Sequence, residues 1–338
     1  MSSPSIKGIT PIDFQWQTSD PFLFCAYHRD FYPPGNAEAG PQASLAGRNI
    51  GMDFEIRDGW RMYHGDRVPG FPVHPHRGFE TVTVVQKGLV DHADSMGAAG
   101  RYGGGDVQWM TAGKGVQHSE MFPLLQREQD NPLELFQIWL NLPAANKLVE
   151  PHFSMFWAQD IPRRVFEDAN GRLTTVEVIA GTLDGVQALP PPPDSWAATP
   201  DNQVAIWTLV LSAGARWVLP ASVDGLSRAL YFYRGASLQV DYENVAAMHR
   251  IDLQSDLDVV LEAGEEECRL LLLQGRPINE PVAQHGPFVM NTQDEIRQTI
   301  HDYRKTQFGG WPWPRPDPVH DERGRFARHA DGTEEEAE

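Results

Sequence analysis

The chain has 338 residues, of which 41% are hydrophobic and 22% are charged, a composition typical of a globular protein with room for two domains. Its formal net charge of −18 argues against direct binding to nucleic acid, which needs a basic surface. The two cysteines, Cys25 and Cys268, cannot form a disulfide framework and favour a reducing compartment. The sequence has no signal-peptide pattern and no apolar run long enough for a membrane span, so we expect a cytoplasmic protein without a membrane partner.

Frequent turns dominate the pattern along the chain, because 30 glycines and 27 prolines break it into short segments. In the first half we predict strands at residues 21–28, 79–85, 89–94, 106–110, 116–120 and 133–140. After a linker or crossover at 144–162, we predict strands at 173–179, 204–211, 229–233, 237–241 and 269–273. Since no helical pattern separates these segments, the sequence predicts an all-β protein built from antiparallel barrels or sandwiches.

The C-terminal part has a different pattern. Thr292 and Glu295 form a capping box before apolar residues at helical spacing, which predicts a helix within 292–310. The tail at 311–338 is rich in proline and charge, and we expect its far end to be disordered. The Trp-Pro repeat at 311–314 is the part of the tail that would dock on the body of the protein.

Two short motifs in the first half carry residues that bind metals. His74 and His76 flank Pro75, and on a strand both point to the same face because side chains alternate. His118 and Glu120 share a face by the same rule. If the two strands are neighbours, about 5 Å apart, three imidazoles and one carboxylate converge on one point, a set that suits a divalent transition metal. One histidine pair alone is weak evidence, so the prediction depends on both motifs together.

The second half echoes the strand pattern of the first. Two short echoes align the halves, and this register places Ala221 and Val223 where His74 and His76 stand. It places Arg269 and Leu271 where His118 and Glu120 stand. None of these four residues has a side chain that commonly binds metals. We therefore expect no metal in the second half.

Longer runs around these residues resemble the pirins, a family of the cupin superfamily. The runs at 74–83, 105–113 and 118–121 are similar to pirin signatures, as are 275–282 and 284–291 in the second half. The resemblance implies two cupin (jelly-roll) β-barrels in tandem with a short C-terminal helix. The implied parts are an N-terminal metal-binding cupin domain at 1–145, a C-terminal cupin domain without metal at 146–291, the helix at 292–310 and the Pro-rich, acidic tail at 311–338.

The same resemblance implies one metal per chain, most often Fe(II) in pirins, with other divalent metals as alternatives. The implied ligands are His74, His76, His118 and Glu120. Many other cupins take their carboxylate from the first motif, where Glu80 stands, and by strand parity Glu80 shares the face of the first two histidines. The pirin-like pattern favours Glu120, so we expect Glu80 to be a supporting or structural acid.

Several pirins are similar to quercetinases, which open a flavonol ring with dioxygen. The resemblance thus implies a quercetin 2,3-dioxygenase-type oxidoreductase that takes a flavonol-like aromatic substrate and O2, with Glu120 as the catalytic base. Other pirins act as transcription cofactors through protein contacts, so a non-catalytic iron-binding regulatory protein is the alternative, and a cupin enzyme of another reaction type, such as an isomerase, is a third possibility. Four residues are candidate walls of a substrate pocket, with barrel-core packing as their alternative role: Trp109, Met110, Phe136 and Trp139.

Overall fold

The structure is a computed structural model that describes residues 3–321 and 323–337; Met1, Ser2, Glu322 and Glu338 lie outside the described residues. The strands of the first part of the chain are Ile6–Pro11 (β1), Gln15–Gln17 (β2), Phe22–Tyr32 (β3), Gly70–His76 (β4), Phe79–Lys87 (β5), Leu89–Asp94 (β6), Ala99–Gly103 (β7), Val107–Thr111 (β8), Val116–Met121 (β9), Asn131–Asn141 (β10), His152–Phe156 (β11), Arg163–Glu167 (β12) and Leu173–Ala180 (β13). The strands that follow are Thr182–Leu183 (β14), Val186–Gln187 (β15), Ala205–Leu211 (β16), Arg216–Leu219 (β17), Ser227–Arg234 (β18), Ser237–Val240 (β19), Glu243–Ala246 (β20), His249–Leu253 (β21), Val259–Ala263 (β22), Cys268–Gly275 (β23), Ala283–His285 (β24), Phe288–Met290 (β25), Phe326–Arg328 (β26) and Glu334–Glu336 (β27).

Helical structure is sparse, as predicted. The helix α1 spans Gln293–Thr306, and short 3-10 helices lie at Ala144–Asn146, Trp196–Ala198, Pro200–Asn202 and Gln307–Gly309. The predicted capping box is present, because Thr292 accepts from the Glu295 backbone while the Glu295 side chain accepts from the Thr292 backbone. The α-helix ends at Thr306, and Gln307 after it adopts a left-handed conformation with φ of 49°. Across the described ranges, no helix is both long enough and apolar enough to cross a membrane.

The chain forms two compact units, each built from two segments of the sequence. The C-terminal barrel comprises Gln159–Asn279 and the N-terminal segment up to Cys25. The N-terminal barrel comprises Ala26–Ala158 and the chain from Glu280 onward. All-β architecture with a short C-terminal helix is therefore confirmed.

The C-terminal barrel has two antiparallel sheets around an apolar core. Their strand orders are β1-β21-β18-β23-β16-β13-β12 and β17-β22-β19-β20. Strand β1 reaches this barrel from the beginning of the chain and pairs with β21, with Ile9 opposite Ile251. The side chains between the sheets are almost all apolar, among them Trp207, Phe232 and Leu261.

The N-terminal barrel also has two antiparallel sheets. One has the order β11-β8-β5-β10-β3, and the other has the order β27-β26-β7-β6-β9-β4. In the second of these sheets the neighbours β4 and β9 carry the two histidine motifs. The hairpin β24-β25 packs on α1 through a small apolar cluster that includes Phe288 and Ile296.

The register that we inferred between the two halves from short echoes is wrong. Ala221 and Val223 lie in the loop after β17, not in a strand. Arg269 and Leu271 lie on β23, on the face opposite to core residues such as Leu272. The echoes thus matched β4 to a loop and β9 to a strand of the other sheet, because two short echoes are too little sequence to identify which strands of the two halves correspond.

The sheet that corresponds to the histidine-bearing one is β17-β22-β19-β20. In it, Trp217 on β17 stands opposite Leu261 on β22, whereas His74 on β4 stands opposite His118 on β9. The paired strands of the C-terminal barrel thus bring two large apolar side chains together, whereas those of the N-terminal barrel bring two histidines together.

The far end of the tail is folded, contrary to our expectation of disorder. Strand β26 pairs with β7, with Ala327 opposite Gly100, and β27 pairs with β26. Arg101, which is buried, forms a two-pronged ion pair with Asp91 and donates to the backbone carbonyl of His320. The proline and charge content of the tail suggested disorder. The prediction failed because the residues that the tail pairs with lie more than 200 positions away in the sequence, and a local pattern does not reveal such contacts.

Candidate metal centre

The two histidine motifs lie on adjacent antiparallel strands, as predicted. His74 on β4 stands directly opposite His118 on β9, and His76 stands opposite Val116. The register shifts between Phe71 and His74, and this irregularity places Phe71, rather than a fourth polar residue, opposite Glu120.

Three imidazoles converge as the strand pattern predicted. One nitrogen from each of His74, His76 and His118 lies within 4.8 Å of the other two. Their ring centroids are separated by 4.5 to 4.8 Å. Such a cluster can hold a divalent metal ion, because neutral imidazole is a common ligand of zinc, copper, iron and nickel.

Burial lowers the pKa values of all three histidines. The pKa of His74 falls from 6.5 to about 4, and the pKa values of His76 and His118 lie well below 6.5. The neighbouring imidazoles add to the effect, because protonation of one opposes protonation of the next. The cluster is therefore neutral at pH 7, which is the state in which imidazole binds a metal.

The hydrogen bonding of the histidines fits a metal. His74 Nδ1 lies 2.8 Å from the carbonyl oxygen of Pro72, so it carries the proton and leaves Nε2 free to coordinate. The ring nitrogens of His76 and His118 are buried and make no hydrogen bond to any residue in the described ranges. Buried polar atoms without partners are costly, and a coordinated metal would satisfy one nitrogen of each ring.

Glu120 lies beside the cluster, at the predicted position on β9. Its Oε2 atom is 3.7 Å from His118 Nε2. Gln137 donates a hydrogen bond to Oε2 at 2.6 Å and Thr83 donates one to Oε1 at 3.3 Å. Burial raises the pKa of Glu120, while Gln137 and Thr83 act in the opposite direction. The carboxylate is thus held by neutral donors at the edge of the histidine cluster.

The parity argument that placed Glu80 on the histidine face is wrong. On β5, Thr83 points toward Glu120, and Glu80 is an odd number of residues away, so it points to the other face. There Glu80 accepts a hydrogen bond of 2.6 Å from Thr111. Parity fails because the chain turns between β4 and β5 at Gly78, whose φ of +84° lies outside the strand region.

The sequence reasoning missed His92, which completes the polar surroundings of the site. On β6, His92 stands opposite Glu120, and its ring centroid is 5.4 Å from that of His118. Its Nε2 lies 3.3 Å from Asp94 Oδ2, and its ring stacks on Phe153. The signal was available in principle, because His92 and Asp94 alternate on a strand that pairs with the second motif.

Of the four candidate pocket walls, two lie on the site face. Trp139 has its ring 5.3 Å from His76 and 4.0 Å from Phe79. Met110 stands opposite Thr81, on the same face of the sheet, and packs with Val116.

The other two residues do not lie on the site face and instead have the core-packing role that was their alternative. Phe136 pairs with Val84 on the opposite face and stacks on Tyr27, and Trp109 packs on Phe156. Strand alternation separates the two pairs, and the choice of face could be made only once the position of Glu120 relative to β5 was known.

Comparison with known proteins gives one consistent result. Residues 13–140 match the family model Pirin, and residues 206–309 match the model of the pirin C-terminal cupin domain. A Pseudomonas aeruginosa protein provisionally named quercetin 2,3-dioxygenase is 41% identical over 244 residues, which cover 71% of this chain and 80% of that protein. Pirin of Rattus norvegicus is 34% identical over 252 residues, 73% of this chain and 80% of its own length.

Solved structures agree with the family match. The crystal structure of a quercetin 2,3-dioxygenase from Acinetobacter baumannii has a TM-score of 0.70 and 27% identity, and the match covers 90% of this chain and 98% of that one. Both cupin domains are therefore matched by one family. The chain belongs to the pirin family of bicupin proteins.

Proposed function

We propose that this protein is a metal-dependent dioxygenase that opens the ring of a flavonol such as quercetin with O2, using Fe(II) as its metal. The observation that carries the proposal is the neutral, buried cluster of His74, His76 and His118 with the carboxylate of Glu120 at its edge. The names of the Pseudomonas aeruginosa and Acinetobacter baumannii relatives support the substrate class. The proposed ligands are the three histidines and Glu120.

Glu120 is the residue we assign to proton transfer. A flavonol must lose its hydroxyl proton before it reacts with O2, and a carboxylate whose pKa burial has raised is a stronger base than one in water. Gln137 and Thr83 hold the carboxylate through its two oxygens, which leaves lone pairs for the substrate hydroxyl.

Trp139 packs on the buried Phe79 and lies edge-on to His76, which makes its indole the aromatic side chain next to the histidines. A planar aromatic substrate can contact this indole, because offset ring contacts are favourable and water is displaced. When bound, a divalent metal supplies Lewis acidity and a template for the deprotonated substrate.

Oxygen uptake by the full chain tests the proposal. The protein is freed of metal, reconstituted anaerobically with Fe(II) and mixed with a small panel of flavonols, and the metal-free protein is the control. We expect O2 consumption with at least one flavonol, only when the metal is present. Iron-loaded protein that consumes no O2 with any flavonol would contradict the proposal and favour the regulatory alternative, in which the metal alters a protein-binding surface.

A further inference from the structure

The C-terminal barrel contains a cavity of about 570 Å³ at one end of its apolar core. This volume lies in the range of small-molecule binding sites. Its apolar wall includes Trp207, whose indole Nε1 donates to the carbonyl of Ala180 and so holds the ring in place. The proline loop that follows β15 adds Pro190 and Pro191 to the wall. The cavity thus has flat, rigid apolar surfaces, although no metal or catalytic role has been assigned to this barrel.

A buried arginine lines the same cavity. Arg228 is 3% exposed and lies on β18, on the face that also carries the core residues Leu230 and Phe232. A charged side chain on this face is unusual, because the rest of the face is apolar. Burying a cation without a partner costs free energy, so its presence calls for a compensating group.

The protein supplies only part of that compensation. The guanidinium donates to the backbone carbonyls of Pro220 at 2.7 Å and Ser255 at 3.3 Å. Its Nε is buried and makes no hydrogen bond to any described residue. Among the described residues, no carboxylate lies within ion-pair distance of the Arg228 guanidinium. Burial lowers the pKa of Arg228 to about 10 while the more distant Asp258 raises it, so the group is charged at neutral pH.

A second incomplete polar group lies next to Arg228. Gln274 on β23 stands directly opposite Arg228 on β18, and it also lines the cavity. Its Nε2 donates to the carbonyl of Gln203 at 3.2 Å, whereas its buried Oε1 has no hydrogen-bond donor among the described residues. The pair therefore presents an unneutralised cation beside an acceptor that lacks a donor.

The acidic side chain among the residues that line the cavity does not neutralise Arg228. It belongs to Asp184, whose carboxylate is paired with Arg164. The cavity is thus positive at its buried end, and the missing partners are an anion and a hydroxyl.

We propose that this cavity binds a small aromatic carboxylate with a hydroxyl group at the meta position. The carboxylate accepts from Arg228, the hydroxyl donates to Gln274, and the ring lies against Trp207 and the prolines. Guanidinium and carboxylate match in geometry, and directly opposite cross-strand residues such as Arg228 and Gln274 are about 5 Å apart, which suits groups two ring carbons apart.

Calorimetry with 3-hydroxybenzoate tests the proposal, with 3-hydroxybenzamide as the uncharged probe of the same shape. The full chain is used both metal-free and metal-loaded, because a carboxylate also binds metals. We expect the acid to bind equally in both states and the amide to bind roughly tenfold more weakly or worse, since a hydrogen bond to a charged group is lost. Equal binding of the two probes, binding that needs the metal, or no binding would overturn the proposal.

Two variants locate the site. Arg228→Met should weaken binding of the acid by roughly tenfold or more. If that variant fails to fold, Gln274→Glu serves in its place, because it gives Arg228 an internal carboxylate, preserves folding and removes the anion site. Arg163→Met is the matched control, since this exposed arginine of the same barrel pairs with Glu177 away from the cavity. Wild-type affinity in the folded Gln274→Glu variant would contradict the assignment.

Discussion

Gln137 donates a hydrogen bond of 2.6 Å to Glu120, and its own carbonyl oxygen accepts one of 3.2 Å from the indole of Trp139. Because an indole N–H can only donate, the Gln137 oxygen must face Trp139 and its NH2 group must face the carboxylate. The side chain therefore favours the charged form of Glu120 and opposes the increase in pKa that burial causes.

Glu120→Gln separates metal binding from proton transfer. The amide still offers an oxygen to a metal and to Gln137, but it cannot accept the substrate proton. We expect most of the metal to be retained and flavonol turnover to fall by roughly a hundredfold or more, the usual contribution of a general base. Metal analysis and O2 uptake on the same preparation check this, and full turnover by the variant would exclude Glu120 as the base.

Gln137→Met should change the pKa of the Glu120 carboxylate while leaving the carboxylate in place. Loss of the donor should raise the pKa of Glu120 further, because the charged form loses a hydrogen bond. We expect the acidic limb of the pH–rate profile for turnover to move to higher pH. Thr83→Val is the comparison, since its 3.3 Å hydrogen bond is longer and should have a smaller effect. An unchanged acidic limb would show that Gln137 does not set this pKa.

The ligand assignment predicts which variants lose metal. His118→Ala and His74→Ala should each remove most of the bound metal, because each deletes one of three converging nitrogens. Glu80→Ala is the control for Glu120→Ala, since Glu80 points to the other face and accepts a hydrogen bond from Thr111. Metal content after reconstitution decides the matter, and a Glu80→Ala variant that loses its metal while Glu120→Ala retains it would reverse our choice of carboxylate.

The pKa values of the histidines predict how the metal-free protein responds to acid. Above pH 6.5 neither the folded nor the unfolded chain protonates these rings. Below pH 6.5 the histidines of the unfolded chain take up protons. The same rings in the folded chain do not, because the pKa of His74 is about 4 and the pKa values of His76 and His118 are also well below 6.5. The free energy of unfolding should therefore fall with decreasing pH from 6.5 to about 4, by up to about 1.4 kcal/mol per pH unit for each ring.

Urea unfolding of the chelator-treated protein at pH 7, 6 and 5 measures this slope. Glu120 and Asp30, whose pKa values are raised, act in the opposite direction, whereas the lowered pKa values of the buried His28 and His320 add to the slope. His74→Gln should reduce the slope by the contribution of one ring. A stability that does not change between pH 7 and 5 would contradict the burial of neutral histidines.

Arg101→Met tests how the tail is attached. The substitution removes the partner of the fully buried Asp91 and the donor to the His320 carbonyl. Leaving a buried charge unpaired should lower the free energy of unfolding by about 3–5 kcal/mol. Lys114→Met is the control, because the exposed pair of Lys114 with Glu150 should contribute about 1 kcal/mol or less. Equal effects of the two variants in urea unfolding would argue against a structural role for Arg101.

Local patterns predicted the site better than they predicted its surroundings. The alternation of His74 and His76, and of His118 and Glu120, depends only on neighbours along one strand, and the two motifs do converge. Glu80 was misplaced because the turn at Gly78 breaks the alternation. His92 was missed because its relevance depends on which strand lies next to β9. Pairing between strands is long-range information that strand periodicity does not contain.

The folded tail takes the place at the edge of the sheet that β7 would otherwise have. Strand β26 covers the outer edge of β7, and β27 becomes the last strand of the sheet, with Glu334 and Glu336 paired to Arg323 and Glu335 paired to His329. An exposed edge with free N–H and C=O groups is a template on which a second molecule can add its own strand, and β26 occupies this edge of β7. A chain shortened before Phe326 would expose the β7 edge and should become prone to polymerise as its concentration rises.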